Sequence, residues 1–186
     1  MKRENILSVL AYSAAVMAGS NYLYLLLILF AFLFRNSWIP IIKNISFKNV
    51  LKWGGIGGII AILIQIFWVQ LQKLLGIFIE STRTSDLIDI SNNSFKMTFL
   101  IVMIAPILEE FIFRKIIFEF LNRKMNITSA AVISSLVFSL YHFDFANTIS
   151  YFLMGMTFST IYILSKNLFN SMVAHMVMNA IVLILM

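Results

Sequence analysis

The run from Ala105 to Lys115, APILEEFIFRK, sets two adjacent glutamates and an arginine between apolar segments. A charge at the centre of a membrane helix costs roughly 2.5 to 3.5 kcal/mol on insertion scales, so such residues are kept only where they have partners. Whatever fold the chain adopts has to supply those partners. On a helix, residues i and i+4 lie one above the other, so Glu110 is expected to pair with Arg114. Glu109 lies about 100° away around the axis and points elsewhere. This geometry assigns Glu110 and Arg114 to structure and orientation, and leaves Glu109 to seek a partner on another segment.

The medium around this run is lipid. Hydrophobic residues make up 61% of the 186 and charged residues only 12%, against the roughly 45–50% apolar content of soluble domains. A chain crossing a bilayer must satisfy its backbone internally, so the expected fold is all-α, a polytopic membrane bundle of about six helices. The expected spans lie near 6–34, 54–78, 97–121, 127–143, 147–165 and 169–186. Residues 1–95 form an N-terminal part with a polar loop, and 96–186 a catalytic helical core. The first run begins after Met-Lys-Arg but is longer than a signal-peptide core, and it reads as retained, either one long tilted helix or a short interfacial piece followed by a span from near Ser20.

The net charge of +6 would suit nucleic acid in a soluble chain. Here Lys and Arg cluster in short connections, at 35–53 and at Arg123 and Lys124, which is the positive-inside pattern of a membrane protein. Those ends are expected on the cytoplasmic side and the polar stretch 80–96 outside. The partners implied are membrane lipid and no nucleic acid. GGIGG at 54–58 permits close helix approach and lacks the Lys-Ser/Thr ending of a phosphate loop. With no cysteine, disulfides, thiolate metal sites and cysteine nucleophiles are all excluded.

Candidate partners for Glu109 are few. The chain has two histidines, His142 and His175, each in or beside an apolar segment. Asn179 follows His175 by one helical turn, on the same face. Phe138, one turn before His142, reads as a pocket wall. Asp144 reads as a turn residue and Glu119 as an interfacial ion-pair member among Lys and Arg.

Glu109-Glu110-x-x-x-Arg114, Phe138-x-x-x-His142 and His175-x-x-x-Asn179 resemble the three motifs of the CPBP intramembrane proteases. That family includes type II CAAX prenyl endopeptidases and bacterial proteins linked to bacteriocin self-immunity. The resemblance covers about residues 96–186. It departs at Lys115, where many relatives carry glycine. It implies that Glu109 and His142 act on water and that His175 and Asn179 act at the oxyanion.

The residues support the same chemistry. Peptide hydrolysis needs a base for water, a donor for the tetrahedral oxygen and a proton for the leaving amine. Glu109, His142, His175 and Asn179 can divide those tasks. Glu109, His142 and His175 are also zinc-ligand types, although the HExxH spacing is absent, so zinc-activated water stays open beside glutamate-activated water. The leading expectation is a peptide hydrolase acting on a hydrophobic or membrane-anchored peptide, in the cell membrane of a low-GC bacterium. A second is a non-proteolytic interaction protein, in immunity or regulation, on the same fold. A third, an ion or proton pathway, lacks a series of polar positions along several helices.

Overall fold

The computed structural model describes residues 36, 41, 45–77 and 95–185. The expected span 6–34 and nearly all of the polar stretch 80–96 lie outside the described residues. The chain divides into compact units Met1–Ile45 and Ser46–Met186, and the second holds every candidate site residue. Its long elements are helices: α1, Phe47–Leu74; α2, residues 95–122; α3, Ile127–Tyr141; α4, Thr148–Ser165; and α5, Leu168–Leu185. No strand occurs among the described residues.

The protein is therefore an all-helical membrane bundle. Among the described residues three stretches are long and apolar enough to cross a bilayer: Phe47–Leu74, Phe145–Ser165 and Leu168–Leu185. α2 is interrupted by Glu109, Glu110, Arg114 and Lys115. α3 has 15 residues, about 22 Å at 1.5 Å per residue, against a hydrocarbon core of about 30 Å. The six expected spans thus include two helices that composition or length alone would not select. α1 also begins earlier than expected. Lys48 and Lys52 stand in its first turns rather than in a loop, where long side chains reach toward the interface, and the Lys52 ammonium lies 4.8 Å from the Trp53 ring centroid.

Local chemistry sets the ends. Asn126 caps α3, its side chain accepting from the Ser129 amide at 2.8 Å, as N-cap residues do. Asn167 accepts from the Phe169 amide at 2.9 Å at the start of α5. Gly76, at φ 66°, follows α1 in the left-handed conformation that glycine adopts without strain. Asp144 is the turn residue the sequence implies: it accepts from the amide and the side chain of Asn147. Trp68 and Gln72 of α1 both donate to the Ala146 carbonyl, at 3.2 and 2.8 Å, tying α1 to that turn.

The core forms where α1, α4 and α5 meet: Ala61, Ile62, Met154, Phe158, Ile161, Ala174 and Met178. The glycines of GGIGG admit this approach. A Cβ on Gly58 would stand 2.6 Å from Val177 Cγ1 and 3.0 Å from the Ala174 carbonyl oxygen, whereas one on Gly55 would meet nothing within 4 Å. Gly58→Ala is therefore expected to lower the melting temperature in detergent, an overpacking cost of about 1–3 kcal/mol. Gly55→Ala should leave it unchanged or raise it slightly, because alanine is the better helix former. Equal behaviour of the two variants would contradict the close packing.

α2 departs from a regular helix in two places. Leu100–Ile104 and Phe111–Phe118 are wide π-type turns, and Ala105–Glu110 between them is ordinary α-helix. Pro106 explains part of this, since it has no N–H to give to the preceding turn. The glutamate pair thus closes a six-residue α segment bracketed by wide turns, a local geometry often found at functional sites.

Candidate active site

The site is built on α2, α3 and α5, with α4 behind it. Glu110 and Arg114 are fully buried, and Arg114 Nε lies 3.2 Å from Glu110 Oε2. This is the i, i+4 pair read from the sequence. Burial of both charges makes the donors and acceptors around them matter, and neighbouring helices supply some of them. Ser171 on α5 donates its hydroxyl to Glu110 Oε2. Arg114 Nη2 donates to the Gly155 carbonyl of α4 at 2.9 Å. The guanidinium carbon lies 4.8 Å from the Phe138 centroid and 5.6 Å from that of Phe158, a favourable placement of a cation against aromatic faces.

Glu110 does more than hold the arginine. His175 Nδ1 stands 3.1 Å from its Oε1. A carboxylate in an ion pair accepts hydrogen bonds, so Nδ1 carries the proton and Nε2 is directed to the other side. There Nε2 lies 3.7 Å from Glu109 Oε2. The two glutamates, adjacent in sequence, thus flank one imidazole. His175 is buried at 3% exposure and Glu109 nearly so at 8%.

His142 is oriented by its own helix. Its Nδ1 lies 2.7 Å from the Phe138 carbonyl oxygen. A carbonyl only accepts, so Nδ1 donates and the neutral ring keeps its lone pair on Nε2. Both histidines therefore commit Nδ1 to the protein and keep Nε2 for other contacts. Phe138 joins them, with its ring edge-on to His142 at 4.6 Å and to His175 at 5.9 Å between centroids.

Asn179 takes a place that spacing alone did not indicate. Its Nδ2 donates to the Ile101 carbonyl at 2.9 Å. That carbonyl belongs to the wide turn before Pro106, where the proline withholds an N–H, and the amide of Asn179 supplies one in its stead. An amide nitrogen carries two hydrogens, and this contact uses one. For His175, donation from Nε2 to such an oxygen requires the doubly protonated ring, since Nδ1 is already given to Glu110.

Zinc was the open alternative. Among the described residues no three His, Cys, Asp or Glu side chains are grouped so as to hold one ion, so Glu109, His142 and His175 do not fit a shared metal as they stand here.

Sequence reasoning did not find Ser171, Tyr151, Gly155 or Phe158. The Tyr151 ring stacks on His142 with centroids 4.1 Å apart and planes 20° apart. Phe158 stacks on His175 at 4.6 Å and 18°. Their spacing of seven on α4 places them on one face, but in an apolar helix that spacing reads as ordinary packing.

Residues 91–181, which contain all of these side chains, match the family described as type II CAAX prenyl endopeptidase, Rce1-like. This segment belongs to the type II CAAX endopeptidase family. The chain is also 33% identical over 144 residues to the membrane-embedded CAAX protease MroQ of Staphylococcus aureus (strain USA300), covering 74% of this chain and 58% of that protein. It is 38% identical over 112 residues to YdiL of Bacillus subtilis (strain 168), whose name describes a candidate membrane peptidase, covering 60% of this chain and 46% of YdiL. The chain thus spans about half the length of these curated relatives. No solved structure matches it significantly. The CAAX-type segment begins shortly before α2 and ends within α5, so its matched residues include the glutamate pair, both histidines and Asn179.

Proposed function

We propose that the protein is a membrane endopeptidase in which Glu109 activates the hydrolytic water. The observation that carries this reading is the division of the glutamate pair. Glu110 is tied to Arg114, Ser171 and His175 Nδ1, while Glu109 faces the Nε2 edge of the same ring. In the reaction Glu109 takes a proton from water, and the hydroxide attacks the peptide carbonyl carbon. Asn179, through its second Nδ2 hydrogen, would donate to the resulting oxyanion, and His175 would join it only when its ring enters the cycle already protonated at Nε2 as well as Nδ1. The proton then passes to the leaving nitrogen, with His142 Nε2 as the shuttle, and the C–N bond breaks. One water is consumed, and a carboxylate and an amine are released. Family membership of residues 91–181 supports the same reaction class.

The substrate class that fits is a hydrophobic or membrane-anchored peptide. The site lies along helices whose outer faces are apolar, with Leu136 and Leu140 of α3, Ile149 and Leu164 of α4 and Ile184 of α5 all exposed, a surface suited to lipid. The name of MroQ agrees with a membrane-embedded location of the chemistry.

The test uses the protein in phospholipid nanodiscs, given a hydrophobic peptide extract in water enriched in oxygen-18. Hydrolysis places the heavy oxygen in the new C-terminal carboxylates, read by mass spectrometry. The reaction should survive chelation with phenanthroline. A stoichiometric zinc whose removal abolishes cleavage would overturn the direct role of Glu109, and the absence of labelled termini would overturn the peptidase itself.

One observation favours a second reading. Glu110, Arg114, His142, His175 and Asn179 all have partners inside the protein, so this set also suits a polar core that holds a binding protein together. Labelled product separates the two readings.

A further inference from the structure

α4 contributes none of the residues singled out by motif, yet one of its faces touches three of them. Tyr151, Gly155 and Phe158 follow the i, i+4, i+7 spacing of a single helical face. Tyr151 stacks on His142, the Gly155 carbonyl receives Arg114, and Phe158 stacks on His175. Each imidazole is thus held in two ways. Its Nδ1 is given to an oxygen, the Phe138 carbonyl for His142 and the Glu110 carboxylate for His175. Its ring plane is set by a nearly parallel aromatic ring from α4.

A hydrogen bond at one ring nitrogen leaves the ring able to swing about that contact. A stacked neighbour removes this freedom. Together they fix the direction in which Nε2 points, and Nε2 is the nitrogen that the proposed reaction uses. Both rings are also edge-on to Phe138, which lies between them. α4 cannot retreat from α3 and still do this. Gly155 lies so close to α3 that a Cβ there would stand 3.0 Å from Ser135 Cβ and 3.2 Å from the Phe138 ring. The two stacking residues sit about 10 Å apart along one rigid helix, at 1.5 Å per residue, so α4 sets the spacing of the two histidines.

We propose that Tyr151 and Phe158 are positioning residues for His142 and His175, and that α4 is the template that holds the two imidazoles in register. The consequence for turnover rests on the peptidase reading; the consequence for the rings does not. Both can be measured separately, because the chain has two histidines and histidine labelled with nitrogen-15 and carbon-13 gives two sets of ring signals.

The labelled 186-residue chain in detergent micelles is compared with Tyr151→Leu, Tyr151→Phe, Phe158→Met and Phe158→Tyr. In the wild type both rings should report the Nδ1–H form. Tyr151→Leu should mix the tautomers or rotamers of His142 and leave His175 unchanged. Phe158→Met, which keeps the buried volume, should do the reverse. The two variants that keep an aromatic ring should retain the wild-type forms. Turnover of the peptide extract should fall about tenfold in each variant that loses its ring, with KM little changed and recovery in its aromatic counterpart, the size expected for losing an aromatic pair at a site sensitive to orientation.

The proposal is overturned if either ring-loss variant leaves the tautomer of its own histidine fixed, or if each variant disturbs both rings alike, as general loosening would. Should Phe158→Met fail to accumulate, the Tyr151 pair decides alone, since that side chain is only half-buried. Loss of activity in Glu109→Gln with both rings undisturbed would support the peptidase reading. Retained activity in that variant would overturn it, while the ring measurements would still judge the role of α4.

Discussion

Glu109→Gln should abolish peptide processing while the protein accumulates in the membrane at its normal level. Glutamine keeps the shape and much of the hydrogen-bonding capacity of glutamate but cannot take a proton from water. General-base catalysis contributes about 10²–10⁴-fold, so the residual rate should fall at least a hundredfold. The fold has little reason to change. Glu109 is not the carboxylate bonded to Arg114, and its Oε2 stands 3.7 Å from His175 Nε2, longer than a hydrogen bond. Abundance is checked by quantitative immunoblot of membranes and activity by the appearance of heavy-oxygen termini. Undiminished processing at normal abundance would mean that the motif residues serve as a polar core and that the protein acts by binding.

The groups carrying this chemistry were legible in the sequence for one physical reason. Charged and imidazole side chains in an apolar segment have no cheap place to go, so their positions stand out, and i+4 spacing tells which of them share a face. That logic gave the Glu110–Arg114 pair and the shared face of His175 and Asn179, while the turn role of Asp144 came from the habit of Asp to bond its own backbone. It could not give what depends on how faces meet. That His175 Nδ1 binds Glu110 rather than a substrate oxygen is a contact between α2 and α5 set by packing. That Asn179 patches the Ile101 carbonyl follows from a wide turn that leaves no trace in hydropathy. Tyr151 and Phe158 were invisible because an aromatic residue in a membrane helix looks the same whether it faces lipid, a neighbour or an imidazole. Span counting by composition fails on α2 for the opposite reason, because the charges that make its site disqualify it as an apolar helix.

Arg114→Met should lose the fold rather than only the chemistry. The side chain is fully buried and bridges three elements: Glu110 on its own helix, the Gly155 carbonyl on α4, and the rings of Phe138 and Phe158. Its removal leaves Glu110 fully buried with a hydroxyl and an imidazole but no cation of its own helix. Breaking a buried pair from one side costs about 3–5 kcal/mol, a large share of the roughly 5–15 kcal/mol that stabilises a native domain. The variant should therefore be strongly depleted from membranes and melt far below wild type in detergent. Arg114→Lys should rescue little, because an ammonium lacks the planar fork that reaches a carboxylate and a carbonyl together. The double variant Glu110→Leu/Arg114→Met tells charge balance from geometry. Replacing both partners of a buried pair by apolar groups is often neutral or stabilising, so abundance and melting temperature should largely return. Activity should not return, because His175 Nδ1 has lost its acceptor and the ring is no longer held toward Glu109. If the double variant regained both fold and turnover, Glu110 would have no part in orienting His175. If it regained neither, the guanidinium bridge to the Gly155 carbonyl, rather than the balance of charge, would be what the bundle requires.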